Sequence, residues 1–313
     1  MRILIVCSKN SGKIAPFILE QVDSLVKVGL VVDYFTIKGK GFTGYLKNYK
    51  SLKFRISEFK PNIIHAHYGL SGLMANLQRS VPVVTTYHGS DINNAKVFPF
   101  SKICTMLSAY NIFVSEKNLN KTQNLFGFSH SKKKEVVIPC GVEIDLFKPM
   151  DKVEARMTLE LDCEKKLILF AGAFSNMVKN ATLAQQAVAM LGDVKLLELN
   201  GYTREQVALL MNAVDCVLMT SFTEGSPQFI KEAMACNCPI VSVKVGDVAE
   251  VLEGVGGCFI TSYEPTDVVN KLKQALEYKN KTEGRMRILE RGLDNESVTS
   301  RILQVYEEVI NIL

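Results

Sequence analysis

The stretch SFTEGSPQFIKEAMACNCPIVS, residues 221–242, reads as loop, helix and strand in quick succession. Its Gly-Ser-Pro cluster punctuates the chain, FIKEAMACN carries apolar residues at helical spacing, and PIVS opens a short β-branched run behind a proline. CVLMTS, just upstream, reads as another strand. Strand, loop, helix and strand in this order form a crossover unit, which commits the region to a parallel sheet. Two glutamates, Glu224 and Glu232, stand on either side of the helix start with seven residues between them. Glutamates are common on helix surfaces. Here, however, Gly225 and Ser226 would present backbone N–H groups at a helix N-terminus, where an anion binds readily.

The same alternation extends in both directions. MRILIVCS, VVDYFTI, PNIIHAH, PVVTTYHG, NIFVSE and KEVVIPC read as strands separated by helix-length segments. After a proline-containing connector, GVEIDLFKPMD, the pattern restarts with LILFAG, VKLLELN, CVLMTS, PIVSVKV and GCFIT. The fold expected is α/β, with two doubly wound Rossmann-like domains facing a cleft. Their bounds fall at 1–148 and 149–296, and 297–313 forms one amphipathic helix that packs back on the N-terminal domain. A chain of 313 residues accommodates two domains of about 150 residues each. Ligands of such sheets bind at the carboxyl ends of the strands. The loops to inspect are therefore CSKNSGK, HAHYGLSG, YHGSDIN, AGAFSNMVKN and SFTEGSPQ.

Composition removes several classes of function. No apolar run reaches the roughly 18 residues of a membrane span, and the first strand is too short for a secretory leader. The eight cysteines are scattered, with Cys236 and Cys238 too close for a zinc knuckle, so buried free thiols in a reducing cytoplasm are expected. No metal is expected: there is no Asp-x-Asp and no cluster of histidines and carboxylates at ligand spacing. A nicotinamide oxidoreductase would need a glycine-rich G-x-G-x-x-G turn after the first strand, which CSKNSGK lacks. The net charge of +5 divides unevenly. Residues 1–148 hold 20 Lys and Arg against 9 Asp and Glu, whereas the remainder holds 17 against 23. The basic residues gather at 38–55 and at SKKKE, 131–135, and point to an anionic surface or ligand. No nucleic-acid motif accompanies them.

A carboxylate one turn into a helix can accept hydrogen bonds from the vicinal hydroxyls of a ribose. A second, in the loop before it, can hold the hydroxyls of an attached sugar. Read with the surrounding residues, SFTEGSPQFIKEAMACNCPIVSVKVGDVAEVL resembles the signature of family 4 glycosyltransferases of the GT-B fold. IPCGVEIDLFKP is similar to the segment by which that family leaves its N-terminal domain, and HAHYG and TYHGSDI are similar to its acceptor-side loops. The resemblance covers most of the chain. It implies a retaining, metal-independent transfer from a nucleotide diphosphate sugar, with no cofactor besides that donor. Glu232 would bind the donor ribose, Glu224 the transferred sugar, and the amides near Gly225 and Ser226 the pyrophosphate. Lys179 matches the lysine that neutralises the leaving diphosphate, and His88 would sit beside the reacting sugar. Gly172 falls in the donor loop and Gly12 at the diphosphate or acceptor edge of the N-terminal domain. His65 and His67 share one strand face, which suits a structural or acceptor-side role better than a metal.

The chain departs from the family pattern in three ways. An arginine usual beside the loop glycine is absent, since Ala173 follows Gly172. Asp247 stands where a second glycine is usual, and one strand-helix pair is missing from the second domain. A nucleotide-sugar-binding protein that has lost catalysis is the alternative these departures leave open. The acceptor implied is a glycan or lipid-linked saccharide of polysaccharide biosynthesis. The basic patch suggests peripheral contact with an anionic membrane surface, through Phe42, Tyr45 and Leu46 beside the lysines of 38–55.

Overall fold

The computed structural model describes residues 1–123 and 134–311 and divides into two compact units. One comprises Met1–Gly141 together with the chain from Asn295 onward, the other Val142–Asp294. Residues 131–133 of the second basic cluster lie outside the described residues. The first unit is built on β1 (Arg2–Ser8), β2 (Val31–Ile37), β3 (Ile63–His67), β4 (Val83–Tyr87), β5 (Tyr110–Phe113) and β6 (Lys134–Val137). All pair in parallel, in the order β2-β1-β3-β4-β5-β6. The second is built on β7 (Lys166–Phe170), β8 (Val194–Glu198), β9 (Cys216–Met219), β10 (Ile240–Val243) and β11 (Cys258–Thr261). These too are parallel, in the order β11-β10-β9-β7-β8.

The unbroken apolar runs are explained by burial on both faces. Ile3, Ile5 and Cys7 of β1 pack on one side, against Ile18, Val22 and Leu25 of the helix Pro16–Lys27. Leu4 and Val6 pack on the other, with Leu52, Met74 and Ala75. In β7, Leu167 and Leu169 likewise face one core and Ile168 and Phe170 a second. Successive side chains of a strand point to opposite faces, so a strand covered on both sides must be apolar throughout. Edge strand β8 is correspondingly less buried.

The boundary lies at Gly141/Val142 rather than 148/149, and the chain returns to the first unit at Asn295 rather than 297. Val142 bridges Asp294 and donates its N–H to Leu293, while Phe147 is fully buried in the second unit's core. The connector is therefore committed to the second unit by its own burial.

The C-terminal helix, Asn295–Ile310, lays Val298, Ile302, Val305, Tyr306 and Val309 into the core beside the helix Pro16–Lys27. That is one helical stripe. The Arg301 guanidinium donates to the Val137 carbonyl. Tyr306 also makes a buried polar contact, with its hydroxyl 2.5 Å from His65 Nδ1, while His65 Nε2 lies 2.8 Å from Thr86 Oγ1. Burial lowers the His65 pKa to about 3. Its neutral form therefore contributes stability that is complete above the unfolded value near 6.5 and is lost as pH falls below it, by up to about 1.4 kcal/mol per pH unit. Asp91 acts oppositely: burial raises its carboxyl to about 6, so it favours the folded state as pH falls from about 6 towards its ordinary value. His65→Gln should consequently make the loss of stability between pH 6.5 and 5 shallower by close to one proton's worth. Urea unfolding of the full chain across that range measures it, and equal slopes for variant and parent would mean that folded His65 titrates normally.

Candidate functional site

The carboxyl ends of β7, β9 and β10 gather the residues singled out in the second unit. Gly172 follows β7 at φ +156°, and a Cβ there would come within 3.1 Å of Lys179 Cγ. The glycine leaves room for the lysine stem. Lys179 ends a single 3-10 turn, Met177–Lys179, whose start is capped by the Asn176 side chain accepting from the Val178 N–H. Thr220 Oγ1, just beyond β9, lies 3.0 Å from the Lys179 carbonyl and 2.9 Å from that of Asn180, and the Phe222 N–H donates to Val178. These bonds tie the two loops together and set Lys179 Nζ 2.7 Å from Glu224 Oε1. Both side chains are partly exposed, so cation and carboxylate are open to a ligand.

Glu232 lies in the helix Gln228–Ala235 and is 4% exposed. Its Oε1 is already engaged, 2.7 Å from Arg204, whose guanidinium rests 4.6 Å above the Phe147 ring. A carboxylate buried this deeply needs such a partner. Sequence pattern alone does not point to Arg204 as a partner of Glu232. The available signal was its place as the first residue of the helix Arg204–Ala213, behind a Thr203–Gln206 capping box. The vicinal-hydroxyl geometry expected for Glu232 is altered accordingly, since one oxygen is shared with a guanidinium.

Gly225 and Ser226 precede that helix, and among the described residues their backbone amides have no protein acceptor. Ser226 Oγ donates to Asp247 Oδ2 at 2.5 Å. Burial raises the Asp247 carboxyl above its usual range, against the opposing pull of the Lys231 charge. Beside it, Gly246 has φ +58°, and a Cβ there would meet the Gly225 carbonyl oxygen at 2.6 Å. Close approach of the two loops is thus provided by Gly246, with Asp247 anchoring Ser226.

In the first unit His88 follows β4. Its backbone N–H and that of Gly89 donate to Asp91 Oδ1, each at 3.0 Å, and Gly69 donates to Oδ2 at 2.9 Å. His88 Nε2 lies 3.0 Å from His67 Nδ1, and Nδ1 lies 3.6 Å from Cys140 Sγ. The rings of His65, His67 and His88 stack in a column. Gly12 lies in the exposed turn after β1 at φ +89°, with nothing within 4 Å of where its Cβ would stand. Among the described residues no three His, Cys, Asp or Glu side chains are grouped to hold a metal, and no helix is long and apolar enough to cross a membrane.

One expectation about the basic patch is overturned. Tyr45 is buried in the core and Phe42 stacks on Phe100 at 5.3 Å, so neither is free to insert into a bilayer. Their apolar surface is used in packing the short helix Gly41–Leu46. The exposed apolar side chains of 38–55 are Leu46 and Phe54.

Two parallel Rossmann-like sheets, with polar groups collected at their carboxyl ends, define the GT-B class of fold. Residues 2–146 match the family model Glycosyltransferase Family 4, and residues 164–278 match Glycosyl transferases group 1. The chain belongs to the GT-B glycosyltransferase family that these two models describe. It is 25% identical over 247 residues to the D-inositol 3-phosphate glycosyltransferase of Mycobacterium marinum, a match covering 65% of this chain and 53% of that protein. The chain thus spans about half the length of this curated relative. Among solved structures, sucrose-phosphate synthase from Thermosynechococcus elongatus superposes with a TM-score of 0.87 at 16% identity, over 100% of both chains. Anabaena Alr3699/HepE in complex with UDP gives 0.76 at 18% identity, over 98% of this chain and 100% of the other.

Two glycine substitutions isolate the loop contact. Gly254, at φ +78°, has open space around its missing Cβ, so Gly254→Ala should cost only the left-handed penalty of about 1–2 kcal/mol. Gly246→Ala adds the clash with Gly225 and should cost at least about 1 kcal/mol more. Equal unfolding free energies for the two variants would show that the loops do not meet as described.

Proposed function

We propose that this protein transfers a sugar from a nucleotide diphosphate sugar to an acceptor with retention of anomeric configuration. The observation that carries the reading is the Lys179–Glu224 contact of 2.7 Å at the carboxyl end of the second sheet. A donor of this class needs a cation for its diphosphate next to an acceptor for its sugar hydroxyls, and this pair offers both. Lys179 would face the charge that grows on the leaving diphosphate. At an effective dielectric of about 20, such a pair at 4 Å is worth about 4 kcal/mol. The amides of Gly225 and Ser226 would add donors that are already oriented, which favours the transition state without reorganisation. Glu232, paired with Arg204 through one oxygen, would take the ribose with the other. In the first unit, His88 would flank the reacting sugar, and Gly12 would border the acceptor. The structural likeness to a protein solved with UDP supports a nucleoside diphosphate as the shared ligand chemistry.

Ala173 and Asp247 favour a second reading, in which the donor is bound but not transferred. The first removes a cation from the donor loop, and the second places a buried acid beside the amides that would meet phosphate. Mutagenesis separates the two readings. Glu232→Ala should weaken nucleoside-diphosphate binding by roughly 1.5–3 kcal/mol, the range for charged hydrogen bonds, as measured by calorimetry. Lys179→Ala should lower turnover by about a hundredfold or more while barely changing affinity for the free nucleoside. Binding that responds to Glu232→Ala with no transfer or donor hydrolysis in the parent would establish the second reading. Binding indifferent to both substitutions would remove the donor site from these loops.

The acceptor proposed is a glycan or lipid-linked saccharide reached at an anionic membrane surface. Lys38, Lys40, Lys47, Lys50 and Lys53 are exposed on the basic stretch beside Leu46 and Phe54. Each lysine close to such a surface adds about 1 kcal/mol. The protein should therefore sediment with anionic but not neutral vesicles, less so as salt rises, and Phe54→Ser should weaken that binding. Equal partitioning to both vesicle types, or to neither at low salt, would leave the lysines as solvated surface.

A further inference from the structure

His67 lies in β3 and is fully buried. Its Nδ1 is 3.0 Å from His88 Nε2, while its own Nε2 is buried without a hydrogen-bond partner among the described residues. An imidazole in this position has a restricted choice. A buried N–H without an acceptor is the costlier orphan, whereas a buried lone pair is better tolerated. The proton of neutral His67 therefore belongs on Nδ1, the nitrogen with a partner. Burial, with the neighbouring rings of His65 and His88, holds His67 well below the usual histidine pKa, so the ring carries one proton. That proton points at His88 Nε2, which must accept it. Neutral His88 then carries its own proton on Nδ1, directed at Cys140 Sγ, a weak acceptor.

We infer that His67 is a positioning residue that locks His88 in the Nδ1–H tautomer, occupies its Nε2 lone pair and holds the ring at one orientation. Contacts on the faces of His88 and on its backbone agree with this. Tyr68 and Phe17 pack on the ring at centroid distances of 4.6 and 4.8 Å, and Asp91 takes the backbone N–H rather than the imidazole. A proton on His88 Nε2 would turn its N–H against the Nδ1–H of His67, and relieving that contact would move the His67 proton to the orphaned nitrogen. His88 is thereby kept from acting as a proton acceptor. Its contribution to transfer is a fixed neutral surface and a fixed backbone, a consequence that rests on His88 flanking the reacting sugar.

The chain has four histidines, at 65, 67, 88 and 130, so their ring nitrogens can be assigned in the intact protein labelled with 15N-histidine. Long-range 1H–15N correlation spectra should show His88 protonated at Nδ1 and His67 protonated at Nδ1. In His67→Phe, which keeps a buried flat ring and removes the donor, His88 should shift towards the Nε2–H form that free histidine prefers. Because the His65 ring stacks on His67 its shifts will move, but retention of its parent tautomer, set by Tyr306 and Thr86, would confirm that the fold is intact. His88 found with Nε2–H in the parent, which needs no variant at all, would overturn the assignment. Transfer assays separate this from the function proposed above: His67→Phe should reduce kcat with little change in donor KM. If His88→Ala leaves transfer intact, the positioning role falls while the tautomer stands. If His88→Ala abolishes transfer but His67→Phe changes neither kcat nor tautomer, the inference about His67 falls and the reading of His88 survives.

Discussion

Every strand of these two sheets pairs in parallel, and parallel sheets bury both faces under helices. A strand such as Ile3–Val6 has no side on which to carry a charge. Polar chemistry is therefore pushed to the strand ends, where the chain leaves the hydrogen-bonded ladder and helix N-termini present unpaired N–H groups. Lys179, Glu224, Ser226 and Asp247 all stand on loops at the carboxyl ends of β7, β9 and β10. His88 stands on the equivalent loop after β4. The separation between core and chemistry follows from the ladder itself.

The loops are not held by their own sequence preferences. Thr220 fastens the lysine turn through its hydroxyl, which donates to the Lys179 and Asn180 carbonyls; Gly172 leaves room for the lysine stem, and Gly246 permits an approach to the Gly225 carbonyl that a Cβ would block. Ion pairing then completes the arrangement: Glu224 with Lys179, and Glu232 with Arg204. The second pair is the more deeply buried. Burying a carboxylate is costly unless its charge is met, so removing Arg204 would be expected to alter Glu232 more than removing an exposed cation would. Ser226 is joined to Asp247 by a hydrogen bond instead of an ion pair, which gives Asp247 a structural place of its own.

The first unit uses buried polar groups differently. Tyr306 reaches from the C-terminal helix to His65, and His65 reaches Thr86, so the last helix is keyed to the centre of the first sheet. His67 carries the same column of rings on to His88. Hydrogen bonds inside an apolar core fix geometry because leaving one unmade is expensive. Histidines spaced by two residues on one strand thus connect a packing element to a loop at the strand end.

Much of the architecture was already legible in residue patterns. The apolar runs and the helical spacing between them specified two parallel sheets, because strand and helix periodicities are local properties. SFTEGSPQFIKEAMACN marked its own loop and helix, and the spacing of Glu224 and Glu232 was visible within it. The exact limits of the units were not, since Val142 joins the second unit through Leu293 and Asp294, some 150 residues away. Nor could pattern show that Phe42 and Tyr45 are used in packing, because a short amphipathic helix offers similar residues whether it meets a core or a bilayer. Arg204 beside Glu232, Ser226 on Asp247 and His67 against His88 are likewise contacts between separate segments. A single sequence records which side chains are present and their local period; which charge meets which is decided only when the packed sheets bring distant loops to the same end.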